Sequence, residues 1–232
     1  MRALLFDLDG TLTWSRGEGS QALGRALHAR PKAVGELQRM RLDGMTDRGI
    51  ARILLAAEGD PAVPVADRAR AVQEAEIDAV LARYLDELAR ACAGGAYRAL
   101  PGVPALLDRL ALEKQVLLGL CTGNLERGAQ LKLASAGLAG RFAFGGFADD
   151  AELRVGIVRA AWQRAQALGA TEGLVIGDTP RDVAAAHEAG LPAFGVATGH
   201  YSVHELAENG ADLVAADFSD LDASLTLLLA AR

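Results

Sequence analysis

Lysine is scarce in this chain: of 24 Lys and Arg residues, only Lys32, Lys114 and Lys132 are lysines. A positive group near any site is therefore expected to be arginine. Cysteine is scarcer still, and Cys92 and Cys121 can neither build a disulfide framework nor supply a CxxC or Cys/His cluster with zinc spacing. A reducing compartment fits. No basic run stands out among 30 acids and 24 bases, net charge -6, which excludes the clustered positive charge that nucleic acid requires. No segment approaches the ~20 consecutive apolar residues of a membrane span, so no membrane partner is expected. The first residues meet the Asp7 carboxylate before an apolar h-region can develop, so the expected location is cytoplasmic. Internal repeats and low-complexity tracts are also missing. What remains is a 232-residue chain with 51% hydrophobic and 23% charged residues, ordinary for a globular protein. Its length falls between one domain and two, leaving a domain with a sizeable insertion as an option.

Short apolar runs end abruptly in polar or glycine-containing turns: Ala3 to Phe6, Val116 to Cys121, Leu174 to Ile176 and Ala193 to Ala197. Runs without alternation suit strands buried on both faces, as in parallel sheets. Helical spacing lies between them, in Leu106, Leu107 and Leu110, in Val155, Ile157, Val158, Ala161 and Ala165, and in Val183, Ala186 and Ala189. Alternating strands and helices predict an α/β domain with a doubly wound parallel sheet, a Rossmann-like core. Residues 15–96 break the alternation. They read as helices, among them Ser20 to Leu27, Asp47 to Ala57 and a long Ala66 to Ala91, with Ser15-Arg16-Gly17 and Gly94-Gly95 as hinges. The expected organisation is a core of residues 1–14 and 97–232 with an inserted α-helical cap of residues 15–96. After Ser202 a helix, a short edge strand near Leu213-Val214 and a final helix through Leu225 to Leu229 are expected.

Asp7-Leu8-Asp9-Gly10-Thr11 follows the first apolar strand directly. In extended chain the two carboxylates leave on the same side, their Cα atoms ~7 Å apart, and strand carboxyl ends form the ligand crevice of such sheets. A simple Asp-Gly turn accounts for Asp9-Gly10 but not for an acid closing an apolar strand. A calcium loop fails because Leu12 stands where the sharp turn needs glycine, and a strand precedes it. The third reading is catalysis, with one carboxylate as nucleophile and metal ligand and the other as general acid and base.

With this DxDGT motif the chain resembles the haloacid dehalogenase superfamily, and further motifs of that family appear in order. Thr122, followed by Gly123 and Asn124, stands after the second core strand, and Gly177-Asp178-Thr179-Pro180-Arg181-Asp182 matches the later G-D-x-x-x-D motif. The family most often has lysine at its basic position. Here no lysine falls there, and the resemblance places Arg154, at the start of the helix from Val155, with Arg159 as second choice. Taken singly, Thr122, Asp178 and Asp182 have a simpler explanation as helix caps; four motifs at successive strand ends do not.

The resemblance implies a phosphatase of the phosphoglycolate phosphatase type acting on a small phosphorylated metabolite, as monomer or homodimer. Asp7 would be the nucleophile and Asp9 the acid and base; Mg²⁺ would be held by Asp7, Asp178 and the backbone carbonyl of Asp9. Thr122, Gly123 and Asn124 would bind phosphate, Arg154 would neutralise charge, and Asp182 would orient the site. An acid at position 9 points to phosphate esters, since the family's dehalogenases and phosphonate hydrolases lack one there. In the cap, Arg41-Leu42-Asp43-Gly44-Met45-Thr46-Asp47 reads either as a turn in which Thr46 or Asp47 caps the next helix or as a substrate-contacting loop using Gly44, Thr46 and Asp47, with Arg41. A phosphosugar mutase would use the same acid pair, and a binding or regulatory module on the same scaffold would not need it.

Overall fold

The unbroken apolar runs become neighbours in one buried sheet in the computed structural model, which describes residues 1–230. Strands β1 (Arg2–Phe6), β4 (Val116–Cys121), β5 (Phe144–Gly146), β6 (Glu172–Gly177), β7 (Ala193–Val196) and β8 (Leu213–Ala215) pair in parallel in the order β5-β4-β1-β6-β7-β8. From β1 the chain builds outward through β4 and β5, then returns to the other side of β1 through β6, β7 and β8. The reversal lies beside β1, and the crevice at such a point opens at the strands' carboxyl ends. Along β1 the side chains alternate between two cores. Leu4 and Phe6 join Leu106 and Leu107 of α6 (Val103–Leu110) with Phe194 and Phe218, whereas Ala3 and Leu5 join Ile157 and Ala161 of α8 (Arg154–Ala167) and Val183 of α9 (Pro180–Glu188). Burial on both faces explains why the strands show no polar alternation. Helices α7 (Glu126–Ser135), α10 (Val203–Glu208) and α11 (Leu221–Ala230) complete the layers.

Strand β5 escapes the apolar pattern because it is built on glycine. A Cβ on Gly146 would lie 2.2 Å from the Ile157 carbonyl oxygen, and one on Gly145 would lie 2.5 Å from the Phe147 ring. Helix α8 can approach the sheet this closely only because Gly146 has no side chain.

Between β1 and β4 the chain leaves and returns through a two-stranded antiparallel ribbon, β2 (Thr13–Trp14) and β3 (Arg98–Ala99), with Thr13 opposite Ala99 and Trp14 opposite Arg98. The Arg98 guanidinium lies 4.5 Å from the centre of the Trp14 ring. Five helices lie in between: α1 (Glu18–Ala26), α2 (Pro31–Leu37), α3 (Asp47–Ala56), α4 (Val65–Ala71) and α5 (Glu74–Ala93). Helices α1, α2, α3 and α5 share a core that includes Leu27, Leu54, Ile77, Val80 and Leu88, to which α4 adds no buried residue. Gly17 and Gly95, at the ends of the insertion, have φ of 80° and 73° with open space around them. Backbone conformation, not crowding, calls for glycine there.

The continuous helix expected from Ala66 to Ala91 is broken. Val72 and Gln73 are extended, with ψ of 127° and 139°. Arg52 Nη1 donates to the Val72 carbonyl at 3.3 Å, and Arg48 and Arg52 both bond Glu74, the first residue of α5. Those bonds take the place of the helical ladder, while Val72 still packs against the insertion's core, so the apolar periodicity runs through the break unaltered. Among the described residues no helix is long and apolar enough to cross a membrane.

Replacing Gly146 by alanine forces a methyl group against a backbone oxygen. Gly146→Ala should cost about 1–3 kcal/mol, read as a lower urea midpoint; a midpoint equal to that of the parent would show that α8 can move away from β5.

Candidate active site

Parallel register brings the first two acids together. Phe6 pairs with Ile176 across β1 and β6, so Asp7 and Asp178 leave adjacent strand ends. Helix α9 adds the third acid through a reciprocal cap. Thr179 accepts the Asp182 N–H, while Asp182 Oδ2 accepts the Thr179 N–H at 3.0 Å and its hydroxyl at 2.7 Å. Asp7, Asp178 and Asp182 are 5%, 4% and 2% exposed, and one oxygen from each lies within 4.8 Å of the others. Close backbone approach makes room for them: a Cβ on Gly10 or Gly199 would fall 2.4 or 1.8 Å from Asp178 Oδ2. Thr11 donates to Asp178 Oδ1 at 3.1 Å.

Arg154 is the cation among these acids. Its Nη2 lies 2.7 Å from Asp7 Oδ1 and also pairs with Asp182 Oδ1. Neither contact is an aligned hydrogen bond, Asp182 Oδ1 being without any such partner and Arg154 Nη2 donating to the Cys121 carbonyl at 3.5 Å, so both are ion pairs by proximity. Arg154 is the first residue of α8, an unfavourable place for a cation unless an anion lies in front of it. Burial pulls its pKa down, but Asp182 and Asp7 outweigh that and hold it above the ordinary arginine value. Arg159, the alternative from sequence, is half exposed and bonds the Glu188 carbonyl, away from the acids.

Three carboxylates and one guanidinium leave two negative charges without a partner. Burial accordingly pushes Asp7 up to about 6 despite the pull of Arg154, with Asp182 adding to the rise. Asp178 rises well above the ordinary aspartate value, through burial first and then the charges of Asp7 and Asp182. An all-oxygen donor set with this excess charge and an unsatisfied buried oxygen fits a hard divalent cation.

A second polar chain runs beside the first. The Thr122 hydroxyl accepts Asn124 Nδ2 at 2.8 Å, and the same nitrogen donates to Asp9 Oδ2 at 2.9 Å. Lys132 of α7 donates to Asp9 Oδ2 and to Asn124 Oδ1, both at 2.5 Å. Asp9 is thus turned away from the acid cluster toward α7. Burial would lower the Lys132 pKa, but Asp9, Tyr84, Tyr97 and Asp47 together raise it well above normal. In the sequence Lys132 stands out only as one of three lysines. Its signal was helical spacing: it lies in register with Ala129 and Leu133, which are buried.

The loop before α3 closes over these residues. A Cβ on Gly123 would lie 2.2 Å from the Met45 carbonyl oxygen, and one on Gly44, whose φ is 67°, would lie 2.5 Å from Thr179 Oγ1. Asp47 bonds the core twice, its N–H to the Gly123 carbonyl at 2.7 Å and its Oδ2 to the Leu125 N–H at 2.9 Å. Thr46 caps α3 by accepting the Gly49 N–H and donates to the Glu152 carbonyl at 2.7 Å, so it holds the loop and does not face the cavity. Arg52 reinforces the contact by bonding both Glu152 carboxylate oxygens. Arg41 points outward beside Tyr201. The cavity has a volume of about 190 Å³ and is lined by Asp7, Asp9, Thr122, Gly123, Asn124 and Arg154 from the core side and by Gly44, Asp47 and Tyr84 from the insertion. Lys132 and Tyr97, neither of them expected from sequence as site residues, also line it.

Comparison with known proteins gives a consistent assignment. Residues 1–190 match the profile of the haloacid dehalogenase-like hydrolases. A phosphoglycolate phosphatase of Rhodospirillum rubrum is 33% identical over 228 residues, covering 95% of this chain and 89% of that protein. A second, from Agrobacterium fabrum, is 28% identical over 231 residues, covering 95% and 91%. The crystal structure of a hydrolase from Pseudomonas syringae superimposes with a TM-score of 0.74 at 24% identity, covering 98% of this chain and 99% of that one.

Asp47 provides a pH test of the cavity wall that is separate from the acid cluster. Burial lifts its pKa from 3.8 to about 6, more than Lys132 and the Leu125 N–H pull it down. Folding therefore takes up a proton between those values, and the wild type should lose stability relative to Asp47→Asn as pH rises from about 4 to about 6, by about 1–2 kcal/mol. The difference should stay constant at higher pH. Urea midpoints of both proteins in metal-free buffer measure this, and parallel curves through the window would overturn the assignment of a buried charge at Asp47.

Proposed function

The chain belongs to the haloacid dehalogenase-like hydrolases, and on that premise we propose that it is a Mg²⁺-dependent phosphatase, of the phosphoglycolate phosphatase type, that hydrolyses a small phosphomonoester through an aspartyl phosphate on Asp7. The observation that carries this reading is the Asp7 carboxylate itself: buried at the end of β1, ion-paired with Arg154 through one oxygen, beside Asp178, and facing the cavity. Mg²⁺, held by the carboxylates of Asp7 and Asp178 with the Asp9 backbone carbonyl, would draw charge from the phosphate oxygens.

Asp7 attacks phosphorus, forming a carboxylate O–P bond as the ester P–O bond breaks. The Thr122 hydroxyl and the Gly123 N–H hold phosphate oxygens, Arg154 offsets their charge, and Asn124 keeps Thr122 in place. Asp9 gives a proton to the departing alkoxide, then takes one from the water that attacks phosphorus and releases Asp7 and inorganic phosphate. Asp182 keeps Arg154 directed at Asp7. The cavity of about 190 Å³ is smaller than the ~300–1,000 Å³ of sites for drug-sized ligands, which favours a metabolite of a few carbons. Gly44 and Asp47 close its cap side and limit water there. Two relatives named phosphoglycolate phosphatase support the substrate class.

Asp7→Asn should lower phosphate release roughly 10³-fold or more while the circular dichroism spectrum and melting temperature remain those of a folded chain; turnover within tenfold of wild type would remove Asp7 as nucleophile. EDTA should stop hydrolysis and Mg²⁺ restore it, measured as free phosphate, and undiminished rates in EDTA would exclude the metal role of Asp178. A panel of small esters, including phosphoglycolate and hexose phosphates, should yield free phosphate. Accumulation of isomerised sugar phosphate in its place would make the protein a mutase.

A further inference from the structure

Lys132 is buried while its partner is not. Its side chain is 4% exposed and that of Asp9 is 45% exposed, so the ammonium is anchored and the carboxylate faces the open cavity. Burying an ammonium costs several kcal/mol even when it is paired, and an apolar side chain of similar volume often serves stability as well or better. The buried face of α7 also carries Ala129 and Leu133, so packing alone would be met by another apolar residue at position 132. Tyr97 presents its ring 5.3 Å from the ammonium, closing off a third direction.

The donors around Asp9 are arranged asymmetrically. Lys132 Nζ at 2.5 Å and Asn124 Nδ2 at 2.9 Å both converge on Oδ2. Among the described residues, no side chain or backbone group bonds Oδ1. Asn124 in turn accepts from Lys132 on its Oδ1 and donates to Thr122, so the position of the carboxylate is tied to the residue assigned to phosphate binding.

From this arrangement we propose that Lys132 is a positioning residue for Asp9. With Asn124 it clamps Oδ2, leaving Oδ1 as the oxygen that gives a proton to the leaving group and later takes one from water. The inference rests on the reading of Asp9 as the acid and base.

Leaving-group dependence tests it. An alkyl phosphate needs its departing oxygen protonated, whereas p-nitrophenyl phosphate does not. Lys132→Met should lower kcat/KM about 10–100-fold for the alkyl phosphate turned over fastest in the panel, and less than about threefold for p-nitrophenyl phosphate. In an Asp9→Asn background the same change should add less than about twofold, because a residue that acts through Asp9 has nothing left to position. Lys132→Gln, which keeps a polar end without charge, should behave alike and serves if the methionine variant does not fold. Equal losses on both substrates, a full additional loss in the Asp9→Asn background, or wild-type rates in the Met and Gln variants would each overturn the proposal. Failure of the underlying reading is distinguishable: Asp9→Asn would then hydrolyse the alkyl phosphate at the wild-type rate. If Asp9→Asn discriminates between the substrates and Lys132→Met does not, Asp9 keeps its role and Lys132 loses its own.

Discussion

Asp7, Asp178 and Asp182 hold their carboxylates within 4.8 Å of one another around a single guanidinium. Their mutual repulsion in a largely dry site would push the strand ends apart if the surrounding backbone did not prevent it. Restraint comes from several sources at once: the pairing of β1 with β6, the reciprocal cap at Thr179 and Asp182, and the close approach of Gly10 and Gly199 to Asp178. Much of the core's carboxyl edge is therefore built to keep like charges together. A scaffold that does so is preorganised for a cation and an anionic group, with little rearrangement left for the moment of reaction.

A different electrostatic problem is solved one strand away. Asp9 is matched by Lys132 and is half exposed, whereas Asp7 is buried and only partly offset. Two acids separated by one residue thus occupy opposite environments, the asymmetry that the proposed roles of nucleophile and proton carrier call for. The net charge of -6 is no obstacle to a phosphorylated substrate, because charge matching is local to Arg154, Lys132 and the cation the acids call for.

Much of this was legible in the sequence because it rests on short-range chemistry. Apolar runs that end in acid or threonine located β1, β4 and β6, and the carboxylates at Asp7 and Asp178 followed from those ends. Arg154 needed the family resemblance for its placement, since one arginine among many carries no local mark. Strand β5 was missed because Gly146 answers to the close approach of the Ile157 carbonyl from α8, a tertiary contact with no local signature. The break at Val72 was hidden for a similar reason: its carbonyl is claimed by Arg52 from another helix. Lys132 was overlooked because lysine is expected on surfaces, and only the folded chain shows that its helix face is covered. Thr46 and Asp47 were open to two readings, and the structure assigns them different tasks, one holding the loop and one lining the cavity.

The ribbon of β2 and β3 has a bearing on how such a chain reaches its native state. Strands β1 and β4 are adjacent in the sheet yet lie on either side of the whole insertion, so their pairing closes a long loop. Once the inserted helices have condensed around Leu54, Ile77 and Leu88, the pairing of Thr13 with Ala99 and of Trp14 with Arg98 brings the ends of the insertion side by side. The sheet then experiences a tether about fourfold shorter, a gain of about 1 kcal/mol in closure entropy. The small antiparallel clasp at Trp14 and Arg98 lets the central strands search for each other as though the insertion were a short turn.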